Sequence, residues 1–190
     1  MISPDHLKAL RYLTDKTGSI RPHLAGVHVT IRGGSVTLAA TTGEVMGMLV
    51  CVGSPLDLPP EPFTIGNDAC DQIVKAAKGK PVTVAVGPNG YLEAAGVFFK
   101  PLEGAYPDVR RVIPATTSGN AAQFDPELLM RFAKTAKALG GKSGYVMVDH
   151  NGNDSATVRI PGRADFIGVV MPLRSTYVEK WVLPIAAAFK

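Results

Sequence analysis

Cysteine is nearly absent: Cys51 and Cys70 stand alone in 190 residues, in no CxxC arrangement. That is too little sulfur for a disulfide framework or a zinc ribbon, so both are expected as core thiols in a reduced cytoplasm. The four histidines, His6, His23, His28 and His150, are scattered without HExxH or comparable spacing, and no metal or other cofactor is expected. A GxxxxGK[ST] phosphate loop is missing too; Gly33-Gly34 and Gly140-Gly141 read as turns. The longest apolar stretch, 181–189, is too short to cross a bilayer and is broken by Pro184. The N-terminus lacks the order of a signal peptide, so no membrane association is expected. Charged residues make up only 19% of the chain, with a net charge of +4, which permits a polyanionic partner without requiring one. What the chain has in quantity is hydrophobic residues, 46%, enough for a substantial core.

Repetition organises the rest. Helix openings occur at Ser3-Pro4-Asp5, near Asn67-Asp68 and at Asp125-Pro126-Glu127, about sixty residues apart. Each has a candidate N-cap and acidic first-turn residues, two have Pro where its missing N–H costs little, and glycine follows each at Gly18, Gly79 and Gly140. The helices are expected over 6–15, 69–78 and 128–139. Short alternating runs follow: 26–31 and 35–40 around Gly33-Gly34; 82–86, 91–95 and 97–100 around Pro88-Asn89-Gly90; 144–148, 156–160 and 166–170 around Asn151-Gly152-Asn153-Asp154. The fold class is therefore α+β, with one helix plus an antiparallel meander written three times.

Leu7, Leu10 and Leu13 on the first helix, and Leu128, Leu129, Phe132 and Ala136 on the third, fall at helical spacing for packing on a sheet. The opposite faces carry cations: Lys8, Arg11 and Lys16; Lys75, Lys78 and Lys80; Arg131, Lys134, Lys137 and Lys142. One such face reads as solvated helix surface with basic groups at the C-terminal end of the dipole. Three together equally suit sequence-independent DNA binding, which needs a distributed positive face. Asp149-His150 with Asp154 could mimic an acid/base cluster but sits in an Asn-Gly turn, so no catalytic residue is assigned and the chain is not read as an enzyme.

Gly104-Ala105-Tyr106-Pro107-Asp108-Val109-Arg110-Arg111-Val112-Ile113-Pro114 resembles the G-x-[FY]-P-D-Y-R-R-V-[IL]-P linker between the second and third domains of bacterial DNA sliding clamps, the β subunit of DNA polymerase III. Val109 replaces the inner Tyr. Val169-Val170-Met171-Pro172-Leu173-Arg174 resembles that family's V-V-M-P-M-R ending, and 36–44 resembles its L-x-x-V-A-T-D-G-H hairpin. The three motifs stand in family order. The resemblance implies a DNA clamp fold, with helices lining the inner face of a ring and sheets outside. It also implies a processivity role in DNA replication, on double-stranded DNA and without a cofactor.

On this resemblance residues 1–115 form a complete clamp-like domain of two units, 116–175 a third unit or half domain, and 176–190 an additional apolar tail. The family builds twelve units from two chains of six, and here there are three. An odd unit leaves an unpaired edge, so a homo-oligomer is expected, either a tetramer of twelve units or a dimer. DNA-facing residues are expected to be Lys8, Arg11, Lys75, Lys78, Arg131, Lys134 and Lys137.

The resemblance further implies a pocket for peptide motifs of polymerase or clamp-loader proteins. By motif position it comprises Leu24, Thr41, Gly43 and Met46; Pro107, Arg111 and Val112 of the linker; and Val169, Met171, Pro172 and Leu173. Flexible Met beside small residues suits an adaptable apolar groove. Read singly, residues 169–173 are equally a buried strand and Met46 a core filler. Two departures bear on the pocket: Glu44 replaces the usual basic or His residue, and 175–190 continue where the family stops. The rival reading is a phage or mobile-element clamp derivative that binds peptides as a decoy without encircling DNA.

Overall fold

The computed structural model describes residues 1–18, 20–32, 34–51 and 58–174. The expected tail at 176–190 lies outside them. The first helix, α1 (Pro4–Arg11), opens with Ser3 in extended backbone and Pro4 in the first turn, and buries Leu7, Ala9 and Leu10. It stops well before Gly18, earlier than the glycine suggested. The Tyr12 and Leu13 N–H groups turn back to the Ala9 and Leu10 carbonyls, and Arg131 donates to the free carbonyls of Tyr12 (3.4 Å) and Thr14 (3.2 Å).

Strands β1 (Gly26–Arg32), β2 (Ser35–Thr41) and β3 (Val45–Cys51) then form a meander. In the sequence the alternating runs of this unit end at the first hairpin. Strand β3 is not legible there, because Val45-Met46-Gly47-Met48-Leu49 is apolar on both faces and does not alternate. Nor is β4 (Phe63–Gly66), only four residues long, which pairs with the far side of β1 and leads directly into α2 (Asn67–Ala77). Gly66, not Asn67, is the N-cap of α2. The Asn67 side chain is drawn away to donate to the Asp15 carbonyl at 2.7 Å.

Three short strands follow, β5 (Ala85–Val86), β6 (Leu92–Ala94) and β7 (Val97–Phe99), and make a separate sheet. Val82, expected within the first of them, instead bridges to Ile2. After the linker come α3 (Pro126–Ala138), β8 (Met147–Asp149), β9 (Ala156–Arg159) and β10 (Phe166–Val170). The fold is α+β with antiparallel pairing throughout.

The larger sheet has seven strands in the order β4-β1-β2-β3-β10-β9-β8 and runs across the expected boundary near residue 115. Its joint is the pairing of β3 with β10, in which Gly47 lies opposite Gly168. A Cβ on Gly47 would strike Leu13, with Leu10 and Phe166 at 3.2 Å; one on Gly168 would come within 2.5 Å of the Phe132 ring. The two glycines let both helices settle onto the seam. Leu10, Leu13 and Phe132 are fully buried there, each worth roughly 1.5–3 kcal/mol. Cys70 is fully buried as well, and burial pushes its thiol up to about 12.

Candidate peptide groove and helical face

Residue parity fixes the two faces of the large sheet. Val45, Gly47, Leu49 and Cys51 of β3 look toward the helices, so Met46 and Met48 look outward. The register sets Thr41 beside Met46 and Met46 beside Val169, one outward row across β2, β3 and β10. Leu24, Ala39, Met46 and Val169 are buried but stand apart from the helix-side core. Three of these four belong to the expected pocket.

The expected pocket residues divide into a floor and a rim. Leu24, Thr41, Met46 and Val169 are at most 7% exposed. Thr41 is also spent on main chain, its hydroxyl donating to the Val45 carbonyl at 2.7 Å and accepting from Gly43 N–H at 3.0 Å. Gly43, Pro107, Arg111, Val112, Met171 and Leu173 are exposed, and Pro172 is half-buried. The 171–173 segment is pinned from both sides. Met171 N–H donates to the Glu44 carbonyl at 2.9 Å and Leu173 N–H to the Gln123 carbonyl at 2.8 Å. Arg111 pairs with Asp108 at 3.7 Å within the linker, both largely exposed.

The linker crosses the outward face. Tyr106 stacks on His28 with ring centroids 4.3 Å apart and planes within 2°. Val112 offers its carbonyl to Ser155 Oγ at 3.0 Å, tying the linker to the third unit. Pro107 lies over a cavity of about 470 Å³ lined by His28, Thr37, Ala39, Met48 and Tyr106, beside the Thr41–Val169 row and not in it. Burial depresses the His28 imidazole to about 4, so it is neutral near pH 7 and accepts or donates to Thr64 Oγ1 at 2.9 Å. This cavity is not among the sites expected from the sequence, although the alternation in β1 and the Tyr of the linker motif are its signals.

On the other side, α1 lies between α2 and α3 and runs antiparallel to α3. Arg11 at its end pairs with Asp71 in the middle of α2 (3.3 Å), while Thr135 late in α3 donates to the Ala9 carbonyl (3.0 Å) and Arg131 earlier in α3 reaches the Tyr12 carbonyl. Of the expected DNA-facing groups, Lys8, Lys75, Lys78, Lys134 and Lys137 are exposed. Arg11 and Arg131 are half-buried and engaged in the contacts just described. A groove of about 510 Å³ at this junction collects Arg11, Lys16, Arg131 and Lys134, together with the acidic Asp71 and Glu127.

The turn considered for acid/base chemistry is occupied otherwise. Asp149 binds Arg159 through two 2.7 Å contacts and accepts from Thr157 at 3.0 Å; its carboxyl is held below the usual range, first by Arg159. His150 Nδ1 accepts from Ala122 N–H at 3.0 Å. Among the described residues no group of three or more His, Cys, Asp or Glu is placed to hold a metal, and no helix is long and apolar enough to cross a membrane.

No protein-family model matches the chain, and no curated protein matches it in sequence. Solved structures do match. The DNA polymerase III subunit beta from Pseudomonas aeruginosa superposes with a TM-score of 0.66 at 17% identity, over 91% of this chain and 65% of that one. The DNA polymerase sliding clamp from Bacillus subtilis gives 0.65 at 15% identity, over 91% and 63%, and the beta subunit from Streptococcus pyogenes 0.65 at 13%, over 91% and 65%. The chain thus spans under two thirds of the length of these clamps. Over 91% of its own length it is similar to bacterial sliding clamps, and its fold is the sliding-clamp fold.

Proposed function

We propose that this chain is a non-catalytic, clamp-type protein of DNA replication that associates with duplex DNA through its helical face and docks peptide motifs of polymerase or loader proteins at the β3–β10 seam. The observation that carries the reading is the outward apolar row of Thr41, Met46 and Val169, with exposed Met171 and Leu173 at its rim. Buried thiols without disulfide partners fit a reduced cytoplasm. End strands without a strand neighbour among the described residues support self-association as a dimer or tetramer. They include β8, flanked by exposed Tyr145 and Met147, and β5, with exposed Val86.

The test is fluorescence polarisation with a labelled peptide carrying Gln and bulky apolar residues, beside a duplex-binding titration at several salt levels. Expected is saturable peptide binding that Leu173→Asp weakens about tenfold, the size of one lost apolar anchor. Duplex binding should weaken steeply with salt, and more weakly so in a Lys134→Glu/Lys137→Glu variant. Peptide affinity untouched by Leu173→Asp would remove the groove from the reading.

A peptide-binding decoy that does not encircle DNA is favoured by one observation: Arg11 and Arg131 are held by intramolecular contacts, and Asp71 and Glu127 lie among the remaining cations. Retention on circular but not linear DNA selects the clamp; peptide binding without such retention selects the decoy.

A further inference from the structure

A polar cluster at the inner side of the β3–β10 seam lies outside the proposed peptide and DNA sites. His6 on α1 directs Nδ1 to Cys51 Sγ at 3.2 Å, and its Nε2 faces Arg163 Nη2 at 3.2 Å. Arg163 lies in the turn between β9 and β10. It also binds Asp165 through Nε (2.8 Å) and Nη2 (2.7 Å), and donates through Nη1 to the Leu139 carbonyl at the end of α3 (2.8 Å). One imidazole therefore connects α1, the end of β3, the end of α3 and the β9–β10 turn.

The chemistry fixes the form of that imidazole. A guanidinium only donates, so Nε2 must present its lone pair. The ring is then neutral with its proton on Nδ1, and that N–H points at the Cys51 sulfur. Protonating Nε2 would set N–H against N–H and two cations against each other. Four other groups surround the pair. Asp165 from the turn and Asp5 from α1 favour the imidazolium, while burial and Arg163 oppose it more strongly, and the net direction is downward from 6.5. The Cys51 thiol, pushed up to about 11 by burial, stays protonated, and the Met1 amino group lies within its electrostatic reach.

We propose that His6 is a neutral latch that holds the β9–β10 turn and the end of α3 against the first helix, and that its protonation releases them. Because the closed form binds a proton less readily than the open form, closure is fully favoured above pH 6.5 and declines as the pH falls below it. The latch sits on the opposite side of the sheet from the peptide row, so it can fail without altering that reading.

The experiment is hydrogen exchange followed by mass spectrometry on the full chain at about pH 7.5 and about pH 5, as protection factors corrected for intrinsic exchange. The reporters are amides whose bonds span the cluster: Val50 N–H to the Asp165 carbonyl (2.9 Å) and Phe166 N–H to the Arg163 carbonyl (3.2 Å). Their protection should fall about tenfold at the lower pH relative to β6 and β7, and should stay level in His6→Gln, which keeps an acceptor but does not titrate. Level protection in the wild type, or the same fall in His6→Gln, overturns the latch. Should His6→Gln fail to fold, ¹⁵N spectra of the wild-type imidazole decide: a proton on Nδ1 and a midpoint below 6.5 support it, and a proton on Nε2 or a midpoint at or above 6.5 overturns it.

Discussion

Single residues carry the most sensitive geometry in this molecule. Gly168 sits where any Cβ meets the Phe132 ring at 2.5 Å and Val158 at 3.1 Å, both inside the core. Gly168→Ala should therefore destabilise by about 1–3 kcal/mol, the usual cost of overpacking, read as a lower urea midpoint. Adding Phe132→Leu should recover part of that loss if the ring is the obstacle; no recovery would mean that the strand itself cannot move. His28 makes a pH-dependent contribution of its own. Burial depresses it to about 4 from 6.5, so the unfolded chain binds the proton better and stability rises with pH between those values. It is complete above 6.5 and lost as pH falls through about 4. NMR titration should place the His28 midpoint near 4, and a midpoint near 6.5 would mean that the Tyr106 stack does not shield it.

Among the elements, the three helices differ in how they begin. Asp125 accepts from Glu127 N–H at 2.8 Å, whereas Ser3 makes no side-chain bond to its helix. Asp125→Ala should cost about 1 kcal/mol and fray the first turn of α3, while Ser3→Ala should leave α1 nearly unchanged, both measurable by denaturation. The sequence shows all three helices because Pro, acidic first turns and spaced leucines act locally. It shows β10 for the same reason, as a β-branched run bounded by turn residues. It does not show β3, since a strand apolar on both faces has no period to read, nor β4, whose four residues Phe63-Thr64-Ile65-Gly66 follow a proline-rich stretch and are too few to establish a period. The candidate groove was legible only through motif resemblance. Its division into buried floor and exposed rim depends on which strands are neighbours, and the Met46–Val169 pairing joins residues over a hundred positions apart.

At the scale of the whole molecule the two sheets are tied together by main chain. Leu102 N–H donates to the Thr64 carbonyl at 3.0 Å and carries the chain leaving β7 alongside β4. Among the described residues, β5 at one end and β8 at the other have a strand neighbour on one side only. Phe98 on β7, 64% exposed with its ring reaching toward Gly87 just after β5, and Tyr145, 74% exposed beside β8, are costly to leave in water. Light scattering over a concentration series should show association that Phe98→Lys or Tyr145→Lys shifts toward the monomer; a single mass at all concentrations, unmoved by either, removes the edges from the interface. The β3–β10 joint has a mechanical side as well. Glu44 and Met171 leave this ladder at the same end, where Val45 lies opposite Val170. Tension applied between them loads one rung at a time and peels the strands apart, whereas a shearing pull would load every rung together. A seam closed to water is in this way soft to traction, and it yields first at the mouth of the outward apolar row.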